Sequence, residues 1–181
     1  KVAAGEAALD YLVDTVQAQI VAPDSATGAE LSVVDQLAAY AAAGVTGVTA
    51  DNLLAVNAQL RLATGGALKD SVSEIQAIVG LADDALGLIE QYNNGTGSTP
   101  LANTATTLTV PDYEAAGIVG VDVNNLVAVN RTILAASSGD ADTVGEIQGL
   151  VNTGIQTQLD ALAKIAAFAE TLATSVETVA G

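Results

Sequence analysis

The chain has no cysteine, histidine, methionine or tryptophan in 181 residues, and only four tyrosines and one phenylalanine. These gaps remove disulfides, thiolate and imidazole metal ligands, and the commonest general base in enzymes. They leave the compartment open, because secreted proteins either use disulfides or avoid thiols altogether. With so few aromatics in a sequence that is 50% apolar, the core must be built from Ala, Val, Leu and Ile. Alanine loses no side-chain entropy on folding and lets helices approach closely, so the composition points to tightly packed helical layers. Positive charge is scarce as well. Five basic residues stand against 21 acidic ones, a net charge of −16, which repels nucleic-acid backbones and disfavours anionic membrane surfaces. No uncharged apolar run reaches the roughly 18 residues of a membrane-spanning helix, so a soluble chain without membrane insertion is expected. The opening Lys1-Val-Ala-Ala has no signal-peptide pattern and reads as the inside of a helix, as in a piece of a longer protein.

What the chain does have is repetition. Residues 43–57, AGVTGVTADNLLAVN, return at 116–130 as AGIVGVDVNNLVAVN, with nine identities in fifteen at an offset of 73. Residues 70–79, DSVSEIQAIV, return at 142–151 as DTVGEIQGLV, with six identities in ten at an offset of 72. Arrays of this kind span, display or bind, and rarely catalyse. The fold class expected is all-α: tandem three-helix modules flanked by long helices. Residues 1–24 would complete a preceding repeat through the stripe Leu9, Leu12, Val13, Val16 and Ile20. Residues 25–95 would form the first module, and 96–181 the second with an extended last helix.

Each module reads as three helices. In helix one, Val33, Val34, Leu37, Tyr40 and Ala41 recur at helical spacing, with Gly44 as a left-handed stop and apolar Val45 beyond it. The second copy is shorter, from Pro111 through Tyr113 to Gly117. The connections run Val45 to Thr49 around Gly47 and Ile118 to Asp122 around Gly120, each ending on a residue suited to cap the next helix. Helix two is predicted over about 50–64 and 123–137, from the stripes Leu53, Val56, Leu60, Ala63 and Leu126, Val129, Ile133, Ala136. Helix three opens with a capping box, Ser71 with Glu74 and Thr143 with Glu146. Its stripe is Ile75, Ile78, Val79, Ala82, Leu86 and Ile89 in the first copy. The second stripe is Ile147, Leu150, Val151, Ile155, Leu159, Leu162, Ala166, Ala169, Leu172 and Val176. Unless Asn152-Thr-Gly154 breaks it, that helix runs past 30 residues and on the order of 50 Å, beyond its own module. Asn93 to Pro100 is rich in turn formers and reads as the linker.

Together, the Ala-Gly-Val/Ile stop, the Leu/Ala-rich helix carrying Val-Asn, and the capped Val-x-Glu-Ile-Gln helix resemble the GA-type three-helix modules repeated in bacterial surface proteins. The Ala-Gly-Val-Thr-Gly-Val-Thr stretch is also similar to repeats of very large, acidic, cysteine-free adhesins. The resemblance covers 43–60, 70–79, 116–133 and 142–151, about a third of the chain, and rests on caps and apolar positions. It implies a three-helix bundle, and it includes albumin binders that use helices two and three. No ligand-specific residue here carries across, and the period is longer than the compact module's.

The candidate chemical groups each have a structural account. Asn57 and Asn130 lie near the apolar stripe one turn after Leu53 and Leu126, and read as buried amides bonding the neighbouring glycine turn, a strut that every repeat keeps. Tyr40 and Tyr113 read as core rings with the hydroxyl at the rim. Calcium is the one cofactor with any foothold, at Asp83-Asp84 and Asp140-Ala-Asp142. Neither has an EF-hand or nonapeptide spacing, and capping or solvation explains them better. Glu74 and Glu146 are accounted for by the capping boxes, and Thr64-Gly65-Gly66 lacks the Lys-Ser/Thr of a phosphate loop. No catalytic set remains. The expected role is a non-catalytic structural or adhesive repeat segment of a secreted bacterial surface or extracellular matrix protein, self-assembly included, whose partners are neighbouring repeats or a host or matrix protein. The alternatives are a GA-type host-protein-binding module and a subunit of an extracellular filament or surface layer.

Overall fold

The computed structural model describes residues 32–63, 71–95 and 107–179. Six helices and no strand occur among them: α1 (Val33–Ala43), α2 (Leu53–Leu62), α3 (Val72–Asn93), α4 (Val110–Ala115), α5 (Leu126–Ala135) and α6 (Val144–Val179). The first copy supplies α1 to α3 and the second α4 to α6. The all-α reading holds. The expected N-terminal helix, the stop at 64–66 and most of the linker fall outside the described residues.

Helix one ends the same way in both copies. Gly44 at φ 86° and Gly117 at φ 74° take the left-handed conformation that closes the helix. The amide beyond each glycine then reaches back five residues, Val45 to Tyr40 O at 3.0 Å and Ile118 to Tyr113 O at 2.9 Å. Val45 and Ile118 are buried, so each stop is fixed by apolar contact as well. At the other end of α4, Thr109 and Asp112 cap reciprocally: Thr109 N and Oγ1 both donate to Asp112 Oδ2, at 2.7 and 2.6 Å.

Helix two is shorter than its stripe predicts because residues 49–52 and 122–125 turn before the helix begins. Asp122 does cap this turn, its Oδ1 accepting from Asn124 N and Asn125 N. Thr49 differs: its hydroxyl donates to Asn52 Oδ1, and its carbonyl accepts from Leu53 N. Helix three opens on the capping boxes. Glu74 N donates to Ser71 Oγ at 3.3 Å, and Glu146 N to Thr143 Oγ1 at 3.2 Å, while Thr143 N donates back to Glu146 Oε2.

The α3 stripe is buried along its whole length, from Ile75 to Ile89. Asn152-Thr-Gly154 does not break α6, which runs 36 residues. Gly154 instead allows a close crossing: a Cβ there would lie 3.0 Å from Val129 Cα and from Thr132 Oγ1. The α6 stripe is covered only to Ile155. Leu159, Leu162, Ala166 and Ala169 are exposed, and the side chains from Leu172 on lie outside the described residues.

The core is continuous across the two copies. α2 packs on α3 and α5 on α6, and α3 also contacts α4 and α5, so the C-terminal half of α3 belongs to the second copy as much as to the first. The segment read as a linker begins differently from expectation. Asn93 is the buried last residue of α3, donating to Ile133 O at 2.8 Å, and Asn94 Oδ1 accepts from Ser138 Oγ at 2.6 Å. These amides satisfy the carbonyl end of α5 and the loop after it, which ties the two copies together.

Candidate functional site

Three polar struts recur at equivalent positions in the two copies. Tyr40 Oη donates to Asn57 Oδ1 at 2.9 Å, and Tyr113 Oη donates to Asn130 Oδ1 at 2.6 Å. The amide nitrogens go elsewhere, Asn57 Nδ2 to Gln36 Oε1 and Asn130 Nδ2 to Leu108 O. Asn57 and Asn130 therefore brace helix two against helix one and its approach, not against the glycine turn. The tyrosine hydroxyls, for their part, are not at the rim but paired inside. Burial raises the pKa of both phenols, with Tyr92 and Asp112 adding to the rise at Tyr113.

The residues that do hold the glycine turn are Asn52 and Asn125. Asn52 Nδ2 donates to Gly47 O at 2.9 Å while Oδ1 accepts from Thr49 N, and Asn125 repeats both bonds with Gly120 O and Asp122 N. Gly47 and Gly120, at φ 81° and 87°, sit over α3 and α6 with Val79 and Ile155 in contact range. A further pair was hidden in the Glu-Ile-Gln motif. Gln76 accepts from Thr46 N and donates to Thr46 O, and Gln148 does the same to Val119. A primary amide matches a backbone N–H and C=O as a neighbouring strand would, so each Gln clips its connection to helix three. The recurrence of Asn52/Asn125 and Gln76/Gln148 in the two blocks was the available signal.

The predicted carboxylates are not gathered. Glu74 and Glu146 serve their caps. Asp83 Oδ1 accepts from Asn52 Nδ2, and Asp84 is exposed. Asp140 accepts from Ser137 N. Asp142 is hydrogen-bonded to Glu146, which raises the Asp142 pKa and lowers that of Glu146, an exposed pair at a helix start. Among the described residues no group of three or more acidic side chains is placed to hold a metal ion, and no helix is long and apolar enough to cross a membrane.

Among the described residues, hollows lie between helices two and three of each copy and where α2 meets the second copy, the last one of about 360 Å³ and lined by Arg61, Leu62, Glu114 and residues 118–121. In the second copy a groove of about 640 Å³ runs between α5 and α6, floored by Ala128, Thr132, Leu150 and Ala161 and flanked by Val127 and Arg131. In the first copy a smaller hollow of about 310 Å³ lies between α2 and α3, lined by Leu62, Ala63, Ala77, Ile78 and Leu81. The walls are mostly alanine and aliphatic, with Arg131, Gln158 and the hydroxyls of Thr132, Thr153 and Thr157 among them in the second copy and Gln59 and Glu74 in the first. Beyond the groove the same side of α6 continues through Leu162, Ile165 and Phe168, all more than half exposed. No family model, curated protein or solved structure matches this chain.

Proposed function

We propose that this chain is a non-catalytic structural repeat segment of a secreted bacterial surface or matrix protein, with a GA-like three-helix module as its unit. One observation carries the reading. The residues shared by the two copies serve as caps, stops, struts and buried core, and the copies meet through backbone-close packing. Gly117 lies so near α2 that a Cβ would come within 2.5 Å of Leu54 O, and Gln59 Nε2 donates to Ala115 O at 2.9 Å. Repeats joined in this way form a stiff quasi-linear array, and a net charge of −16 keeps such an array dispersed and extended. Antibody labelling of intact cells of the source organism and of their medium tests the placement. Signal without permeabilisation is expected, and signal only after permeabilisation overturns the reading.

The open groove between α5 and α6 favours a second reading, a host-protein-binding module of the albumin-binding kind, since exposed apolar hollows serve as protein contacts. Calorimetric titration with serum albumin tests it, a flat isotherm counting against it.

A further inference from the structure

The groove between α2 and α3 is already occupied where it faces the second copy. Its occupant is helix one of that copy: α4 enters with Ala115 O on Gln59, and Gly117 sits against Leu54 O and Ala55 N. The repeat offset carries this seat onto Val127, Ala128 and Thr132 of α5, and onto Gln158 and Ala161 of α6. Those residues line the open groove. Ile89 is fully buried in the filled seat, whereas Ala161, its equivalent, is exposed. Asn93 is 5% exposed under α5, whereas Ile165, at the same place in the repeat, is 65% exposed.

The matching surface is on α1. Ala115 and Gly117, which lie against α2, are partly covered, but their equivalents Ala42 and Gly44 on α1 are exposed. A Cβ on Gly44 would meet nothing within 4 Å. We propose that the groove between α5 and α6 is a docking site for α1 of a second copy of this chain, entering as α4 enters the groove between α2 and α3. This rests on the structural-repeat reading and gives it a mechanism of assembly. The contact joins two different surfaces, so it does not close, and copies add head to tail. Arg131 stands where the first copy has the buried Ala58, and α1 has no basic residue in its last turn. A cation in the groove suits the carbonyl end of the entering helix.

Two surface substitutions separate the faces. Ala135→Trp fills the groove and leaves α1 intact, and Ala42→Trp blocks α1 and leaves the groove intact; both alanines are exposed, and circular dichroism confirms that each variant folds. Sedimentation at concentrations from about 10 µM to about 1 mM spans the range for a one-helix contact. Moderate salt screens the repulsion between acidic copies. The unmodified chain is expected to rise in average mass from 17.9 kDa towards multiples of it, while each variant alone stays monomeric. A mixture of the two variants is expected to stop at a one-to-one dimer. Because the chain lacks cysteine, Ala42→Cys mixed with Thr132→Cys under a mild added oxidant should give the mixed disulfide dimer in clear excess over the symmetric dimers that random collision gives. A constant mass with no such excess overturns the docking proposal but leaves cell-surface labelling to judge the structural-repeat reading separately. Albumin binding that Ala135→Trp abolishes assigns the groove to the host partner and likewise overturns it.

Discussion

Gly44 and Gly117 close the same helix in the two copies, yet replacing them with alanine should have unequal consequences. Both have positive φ, 86° and 74°, so either substitution forces an L-residue into the left-handed region at a cost of about 1–2 kcal/mol. At Gly44 nothing lies within 4 Å of the new methyl group, and the cost ends there. At Gly117 the methyl carbon would meet Leu54 O at 2.5 Å, Leu54 C at 2.6 Å and Ala55 N at 2.9 Å. These are backbone atoms, so no side-chain rotation relieves the overlap. The two copies must separate, at a further cost of about 1–3 kcal/mol typical of overpacking. With a urea dependence of about 2 kcal/mol per molar, Gly44→Ala lowers the unfolding midpoint by about 0.5–1 M and Gly117→Ala by about 1–2.5 M. Urea titration in dilute solution, followed by far-ultraviolet circular dichroism, reads both. Equal losses at the two sites would refute the close approach of the second copy to α2.

Three further outcomes follow from the struts and caps. Tyr113→Phe leaves Asn130 Oδ1 buried without its donor and should cost about 1–3 kcal/mol by urea denaturation, with Tyr40→Phe costing less because Asn57 is only half-buried. Both tyrosines hold their protons above the ordinary phenol range because burial opposes the anion. The unfolded chain loses those protons first, so the tyrosines' contribution to stability is constant below about pH 10 and falls above it, by up to about 1.4 kcal/mol per tyrosine per pH unit. Removing both hydroxyls should shrink that limb to the smaller part that the half-buried Tyr92 supplies, and a limb undiminished in the double Phe variant sinks the assignment. Thr143→Ala removes the acceptor for Glu146 N and should lower stability by about 0.5–2 kcal/mol in the same assay; no change would mean the cap contributes nothing.

Much of each copy was legible because its signals are local. A glycine forced to positive φ, a hydroxyl three residues before a carboxylate and apolar residues every third or fourth position act within one or two turns. α1, α3 and the opening of α6 accordingly lie close to where their patterns put them. What was misread depended on partners distant in the chain. Asn57 and Asn52 are both repeated asparagines near the start of helix two, and only the placement of α1 decides that Asn57 meets Tyr40 while Asn52 holds Gly47. The Gln of Glu-Ile-Gln looks like a surface residue until Thr46 is brought beside it. Asn93 looks like the first residue of a linker until α5 ends against it.

The sequence by itself determined an all-helical, acidic chain of two related segments, with their stops, their caps and most of the buried stripe, because helix periodicity and end chemistry are written in neighbouring residues. Only the tertiary structure decided how the segments meet. Gly117 could have been no more than a second copy of Gly44. It becomes the point where two backbones touch, because α4 fills the α2–α3 groove and α5–α6 has no such occupant. The two grooves come from related sequences, and what distinguishes them is the position of a helix from the other copy.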